Sequence, residues 1–321
     1  MNSKIKKYAL SLGFDLVAIT TPDLPKPELD FYKSFLKKEY FGKMEYLKKI
    51  SERENPNKIL PKISSVICLG INYYHEQSPT RTTHGKVSIY AYGRDYHKII
   101  FKKLKYLQAY LQTIYPNEIF KSYIDTGPIL ERSYAQKSGL GVIGKNSCLI
   151  TKEFGTFVFL AEILTTANIK KGKPQSASKE KFPLCKTCDK CIKACPAKAI
   201  ISAGEIDARK CVSYLTIEKK SALTKQEKLS IASSGYIFGC DICQKVCPHN
   251  CRAKQTNHKE FLDPKIAGDD LNLKKILAIK TDEEFLKTFA GSPLMRTKRK
   301  GLQRNAKALK GVISNTHPFD V

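Results

Sequence analysis

A chain of 321 residues is too long for a lone electron-carrying module and allows two or three compact units. Its 56 Lys and Arg against 30 Asp and Glu leave a net charge of +26, which points to a polyanionic partner or else to a heavily solvated lysine-rich surface. No apolar run approaches the roughly 18 residues of a spanning helix, and the N-terminus is interrupted by Asp15 with no small-residue cleavage motif after it. It reads as a mature helix, so a cytoplasmic protein without membrane contact is expected.

In chain order, Ile5, Tyr8, Ala9 and Leu12 have helical spacing that Gly13 ends, and Leu16 to Ile19 read as a short buried strand. A lysine-rich amphipathic stretch runs from about Glu28 to Lys49. Ser65 to Tyr73 is a strand, and Val87 to Tyr92 reads as another. Residues 95–114 form a long helix with Ile99, Ile100, Leu104, Leu107 and Leu111 on its inner side. Ser122 to Asp125 looks like a strand end, and Ile129 to Gly139 a helix. Cys148–Thr151 and Thr156–Leu164, joined at Glu153-Phe-Gly155, look like a hairpin. The alternation implies an α/β unit with a mixed sheet over residues 1–170, within an α+β chain. The polar run from Asn168 to Lys179 marks a boundary loop, a cysteine-rich unit covers 171–260, and helical spacing of Leu271, Leu273, Ile276, Leu277, Phe285, Leu286 and Phe289 implies a short helical unit over 261–321.

Eight of the eleven cysteines carry the strongest signal. Cys185, Cys188, Cys191 and Cys195, followed by Pro196, have the spacing of a bacterial ferredoxin loop, in which three thiolates hold one [4Fe–4S] cluster and the fourth reaches its neighbour. Cys240, Cys243 and Cys247, followed by Pro248, form a second group that lacks one member, and Cys211 completes it. The crossing rule assigns Cys185, Cys188, Cys191 and Cys247 to one cluster and Cys195, Cys211, Cys240 and Cys243 to the other. Paired CxxC motifs also hold zinc, but the three-cysteine run and the two Cys-Pro terminations favour clusters. Cys68 and Cys148 lie in apolar strands and read as core. Cys251, four residues past Cys247, is a surrogate ligand at most.

The remainder resembles the epoxyqueuosine reductases. The likeness rests on Tyr92-Gly-Arg-Asp-Tyr-His97, Asp125-Thr-Gly-Pro-Ile-Leu-Glu-Arg132, Gly139-Leu-Gly-Val-Ile-Gly-Lys-Asn146 and Phe157-Val-Phe-Leu-Ala-Glu162. It continues through Asp207-Ala-Arg-Lys-Cys-Val-Ser-Tyr-Leu-Thr-Ile-Glu218, Gly239-Cys-Asp-Ile-Cys-Gln-Lys-Val-Cys-Pro-His-Asn250, Gly291-Ser-Pro-Leu-Met-Arg296 and Gln303-Arg-Asn305. Val142 stands where the family usually has tryptophan, and a short tail replaces the HEAT-like repeats of longer members. The resemblance implies a cobalamin-binding N-terminal unit beside a ferredoxin-like two-cluster unit. It also implies reduction of an epoxide to an alkene at the tRNA wobble nucleoside. Low-valent cobalt and the clusters would supply the electrons, drawn from an external flavodoxin- or ferredoxin-type donor by a monomeric enzyme.

By the same resemblance Asp125 is the acid that protonates the leaving oxygen. Burial against the corrin would raise its pKa; read without the family, it is equally an N-cap. Asp95-x-His97 begins like a cobalt-ligating DxHxxG motif, but Ile100 occupies the glycine position. His97 therefore reads as structural, and the cobalamin is expected base-off with no histidine beneath it. Arg53, Ser88, Asn146, Leu149, Ser213, Asp241 and Gln244 are carried over as cofactor contacts. The polyanion then becomes tRNA, met by Lys219, Lys220, Arg296, Arg299, Lys300 and Arg304, with Lys298, Lys307 and Lys310 in the same basic run. A solvated helix face is the alternative for that run.

Overall fold

A computed structural model describes residues 2–170, 182–264 and 266–313. Helix α1 (Asn2–Ser11) leads into strand β1 (Leu16–Thr20), then α2 (Lys26–Lys37) and α3 (Ile50–Glu54). Strand β2 (Ser65–Asn72) precedes β3 (His84–Val87), α4 (Tyr96–Ile114), β4 (Phe120–Tyr123) and α5 (Glu131–Lys137). Two short strands, β5 (Val142–Ile143) and β6 (Leu149–Ile150), come before β7 (Val158–Thr165). The cysteine-rich segment holds α6 (Lys190–Ala194), β8 (Ile200–Ser202), β9 (Glu205–Ile206), α7 (Val212–Ile217), α8 (Lys225–Ser234), β10 (Tyr236–Phe238) and α9 (Ile242–Lys245). Strand β11 (Asp270–Asn272) and helices α10 (Leu273–Ala278), α11 (Asp282–Phe289) and α12 (Lys298–Ile313) follow.

The main sheet has the order β1-β2-β7-β4, and every pair in it is antiparallel. Strand β2 is buried along its whole length, so both faces of the sheet are covered. Alternate residues serve different cores. Ile67, Leu69 and Ile71 face α1 and α4, while Val66 and Cys68 face Ile129 and Tyr134 at α5. Helix α4 presents Ile100, Leu104, Leu107 and Leu111 to the first core, all fully buried. Burying each is worth about 1.5–3 kcal/mol, which fixes this helix and the Asp95-Tyr96-His97 segment at its start.

The mixed pairing lies in the smaller sheet β10-β3-β11, where β3 pairs parallel with β10 and antiparallel with β11. A strand from the first third of the chain is thus flanked by one from the cysteine-rich segment and one from the tail. The core behind it combines Val87 and Ala91 with Val212, Leu215, Ile237, Leu271, Phe285, Leu302 and Leu309.

Two local expectations are corrected. The segment 87–92 is not a strand: extended pairing stops at Val87, and Ile89–Ala91 form a 3-10 turn. Asp241 accepts the Ile89 N–H at 2.8 Å, and that bond replaces strand pairing there. Nor is 148–164 a simple hairpin. Leu149–Ile150 pair with Val142–Ile143, and β7 pairs with β2 and β4, leaving one bridge between Thr151 and Gly155. The lysine-rich 28–49 stretch breaks after Lys37 and resumes as a 3-10 turn at Glu45–Lys48. Most of the polar boundary run at 168–179 lies outside the described residues. Among the described residues no helix is long and apolar enough to cross a membrane.

Candidate active site

The thiols gather into two groups. Cys191 lies close enough to Cys185, Cys188 and Cys247 for each to raise its pKa, and Cys247 responds to Cys185 and Cys188 in turn. These four line one cavity of about 330 Å³, partly open to solvent, with Lys145, Asn146, Leu184, Lys190 and His249. Cys211 responds to Cys195, Cys240 to Cys211 and Cys195, and Cys243 to Cys211 and Cys240. Burial dominates in this second group and pushes the Cys240 thiol up to about 12. Each group mixes the two sequence runs, as the crossing pattern requires. Backbone N–H groups of Lys145 and Ala199 point at Cys185 Sγ (3.5 Å) and Cys195 Sγ (3.2 Å), an arrangement that favours thiolates. Among the described residues no three His, Cys, Asp or Glu side chains converge tightly enough for a single ion. Cys68 is core, as its strand implies. Cys148 lies between the groups, within reach of Cys243, Cys247 and Cys191, and Cys251 is exposed beside Cys247.

Asp125 follows β4 with φ +55, a conformation that Asp tolerates better than most side chains. The Thr126 N–H donates back to Ile124 O at 2.5 Å and closes a tight turn around it. Its carboxylate faces an open cleft and is 61% exposed. Tyr96 Oη donates to Asp125 Oδ2 at 3.0 Å, and His97 Nε2 stands 3.6 Å from the same oxygen. The other ring nitrogen, His97 Nδ1, pairs with Asp95 Oδ1 at 2.7 Å. Asp95 also caps α4 by accepting the His97 N–H. His97 is thus the middle of an Asp95–His97–Asp125 chain. Burial pulls its pKa down, but the two carboxylates override that and raise it to about 9.

For Asp125 itself, burial raises the pKa, yet hydrogen bonds from His97 and Tyr96 and the charges of His97 and Arg296 hold it below the ordinary value. The raised pKa expected for an acid is therefore not what these surroundings produce. The cap reading also fails, because α5 begins at Glu131 with Leu130 at its N-cap and Asp125 six residues earlier. Sequence reasoning read His97 as structural. The visible signal was Asp95-x-His97, whose role lay in proximity to Asp125 rather than in metal ligation.

The carried-over cofactor positions surround this cleft and the second thiol group. Ser88 Oγ donates to Asp241 Oδ1, Gln244 Nε2 approaches the same oxygen at 3.4 Å, and Asn146 Nδ2 donates to Cys243 O at 3.3 Å. Thr156 Oγ1 donates to Gln244 Oε1 at 2.9 Å. Ser213 is half-buried in the first turn of α7, two residues past Cys211. Leu149 is core. Arg53 is buried and donates to Lys49 O at 2.8 Å, bracing the 45–54 loop. Half-buried Tyr90 feels the charges of Asp125, Asp241 and Glu218, which puts it near both the acid and the second thiol group.

The basic residues divide. Arg296 is exposed, chelates Glu218 (2.9 and 3.1 Å) and is close enough to Asp125 to lower its pKa. Lys219 pairs with Glu227 at 2.8 Å, and Lys220 donates to Ile217 O and Arg296 O. Arg299 is tied to Asp282 at 2.7 Å. Arg304 spends its guanidinium on Leu215 O, Lys219 O, Ser221 O and Asn305, acting as an internal clamp. The exposed cations of α12 are Lys298, Lys300, Lys307 and Lys310.

Comparison with known proteins agrees with this arrangement. Residues 53–126 match a family described as "Epoxyqueuosine reductase QueG, DUF1730", and residues 184–250 match "4Fe-4S double cluster binding domain". An epoxyqueuosine reductase of Gloeobacter violaceus is 37% identical over 98% of this chain and 97% of its own length. The Escherichia coli epoxyqueuosine reductase is 36% identical over 91% of this chain and 76% of its own. A crystal structure of epoxyqueuosine reductase with an epoxyqueuosine-modified tRNA-Tyr stem loop superposes with TM-score 0.87 at 28% identity, covering 98% of this chain and 82% of that one. A Bacillus subtilis epoxyqueuosine reductase with its catalytic Asp loop swung out of the active site gives TM-score 0.85 at 28% identity, with the same coverage. On both sequence and structure, this chain belongs to the epoxyqueuosine reductase family.

Proposed function

We propose that this chain reduces epoxyqueuosine to queuosine at the wobble position of tRNA, in the cytoplasm and as a monomer. The observation that carries the reading is Asp125, an exposed carboxylate held by Tyr96 and His97, with Tyr90 feeling both its charge and that of Asp241 beside the second thiol group. The net reaction consumes two electrons and two protons. Both epoxide C–O bonds break, an alkene forms, and the oxygen leaves as water.

Cysteines 185, 188, 191 and 247 hold one [4Fe–4S] cluster, and 195, 211, 240 and 243 hold the other. The first would accept electrons from an external flavodoxin- or ferredoxin-type carrier through the partly open cavity that its cysteines line. The second would supply them toward Asp125 from its place beside Asp241 and Tyr90. A base-off cobalamin, when bound, supplies low-valent cobalt as the nucleophile and reductant at carbon. The residues fit such a group. His97 is engaged by two carboxylates and is not available as a cobalt ligand. Arg53, Ser88, Asn146, Leu149, Asp241 and Gln244, already packed or bonded within the protein, form its wall, with Ser213 between second cluster and cleft.

The chain's own chemistry is proton delivery. At neutral pH His97 carries a proton on each ring nitrogen, and Nε2 faces Asp125 Oδ2. Burial of Asp125 by cofactor and substrate raises its affinity for that proton, which it then passes to the leaving oxygen. Asp95 keeps the imidazole oriented throughout.

Arg296, at the cleft mouth, and the exposed lysines of α12 meet the tRNA backbone, with Lys219 and Lys220 beside them. Arg299 and Arg304 contribute mainly by holding α12 in place.

Asp125→Asn retains both clusters and cobalamin but loses epoxide reduction by about 10²–10⁴-fold in single-turnover assays. Near-normal turnover of the cofactor-replete variant would remove Asp125 from the reaction. Cys211→Ser costs about half the bound iron, whereas Cys251→Ser leaves iron and sulfide unchanged. The opposite pattern in metal analysis would overturn the ligand assignment. Finally, Lys300→Glu with Lys307→Glu raises the Kd for an anticodon stem loop and lowers the slope of log K against log salt by about one per lost contact. An unchanged Kd and slope would make that face merely solvated.

A further inference from the structure

Glu162, on β7, is fully buried, and neither of its carboxylate oxygens has a hydrogen-bond partner. Its neighbour is the Glu131 carboxyl from the first turn of α5. Glu131 Oε1 accepts the backbone N–H of Asp125 at 2.6 Å. The cations nearby are engaged elsewhere: Arg132 donates to Ser147 O, and Lys137 pairs with Asp23 and Thr21. Cys68 on β2 and Tyr123 on β4 flank Glu162 across the sheet, and Tyr134 on α5 feels its charge. None of these supplies a positive charge. Arg132 alone among the nearby cations lowers the Glu131 pKa, and it does not outweigh burial and the Asp125 charge. Two neighbouring carboxyls, one of them fully buried, cannot both ionise at little cost.

We propose that Glu131 and Glu162 share a single proton and together clasp the Asp125 loop, making Glu131 a positioning residue for the acid. The turn at Asp125, with φ +55 and a three-residue closure, is a conformation that persists only where the surroundings impose it. The Glu131 carboxyl holds the Asp125 backbone amide, while Tyr96 and His97 hold only its side chain. With one proton on the pair, Glu131 is a strong fixed acceptor for that amide. Without it, like-charge repulsion drives the two side chains apart and frees the loop. The Bacillus subtilis relative with its catalytic Asp loop swung out shows that such a loop has a second position. Burial and the Asp125 charge raise the proton affinity of Glu131, so the pair keeps its proton to higher pH than a free carboxyl would. The clasped state holds more protons than the open one, so rising pH favours opening.

The loop-holding part stands independently of the chemistry; the catalytic consequence rests on Asp125 being the acid. Amide hydrogen exchange of holoenzyme peptides spanning 124–127 tests the first part, expressed as protection relative to a free peptide. Wild type is expected to lose protection about tenfold or more above about pH 8. Glu162→Gln, which cannot ionise, retains it across the same range. Glu131→Ala is unprotected at every pH, and Glu131→Gln, which keeps an acceptor oxygen, restores protection. In turnover, Glu131→Ala lowers kcat with KM for the stem loop little changed, and Glu131→Gln recovers most of it. Wild-type protection that is flat with pH, or Glu131→Ala exchange equal to wild type, would overturn the clasp. If Glu131→Ala does not fold, the wild-type and Glu162→Gln exchange profiles decide alone. Exchange behaving as expected while Asp125→Asn stays active would leave the clasp standing and remove the acid.

Discussion

The arrangement of this site depends on one buried carboxylate. Asp241, between the cluster cysteines Cys240 and Cys243, accepts hydrogen bonds from the Ser88 hydroxyl and the Ile89 amide, both belonging to the first half of the chain. Gly239 lies against Ser88, and a side chain there would collide with it at 2.4 Å. The two halves therefore meet backbone to backbone at the loop that carries half of one thiol group. Burying such a group is costly unless it is fully hydrogen-bonded, and here it is. These contacts tie the second thiol group to the first half of the chain through the fold itself and not through a linker.

The second theme is charge arranged by environment. Three carboxyls converge near the cleft floor with different fates. Asp125 is held toward its ionised form by His97, Tyr96 and Arg296, whereas burial and mutual repulsion raise the proton affinity of Glu131 and Glu162. Groups whose surroundings push their proton affinities apart are a usual mark of acid–base work. The +26 net charge belongs to the same picture on a larger scale: a field of that sign attracts polyanions, and Arg296 and the exposed lysines of α12 contribute to it.

Much of this was legible in the residues. The cysteine spacing carried the two-cluster segment and the crossed grouping, because short loops around a cluster tolerate few spacings. Helix α4 declared itself through its apolar stripe, and β2 through a short apolar run. What was missed depends on contacts distant in sequence. The 87–92 segment has strand-like composition, but Asp241 claims its backbone, and nothing local reveals that. Leu149 and Ile150 pair upstream with Val142 and Ile143, a choice between neighbours that alternation cannot make. Arg299 and Arg304 look like free cations in a basic run until Asp282 and the carbonyls of α7 are placed beside them. The Glu131–Glu162 contact joins residues 31 apart on different elements, beyond the reach of any periodicity.

The central claim is that this chain removes the epoxide oxygen from a tRNA nucleoside, with electrons passed inward through its thiol-bound clusters. The most direct measurement is anaerobic incubation of cluster-reconstituted, cobalamin-loaded protein and a chemical reductant with an anticodon stem loop carrying epoxyqueuosine, followed by mass analysis of the released nucleosides. The account predicts conversion of the epoxide nucleoside to a product lighter by one oxygen atom, dependent on protein, reductant and cobalamin. Recovery of the intact epoxide from fully loaded protein would contradict it.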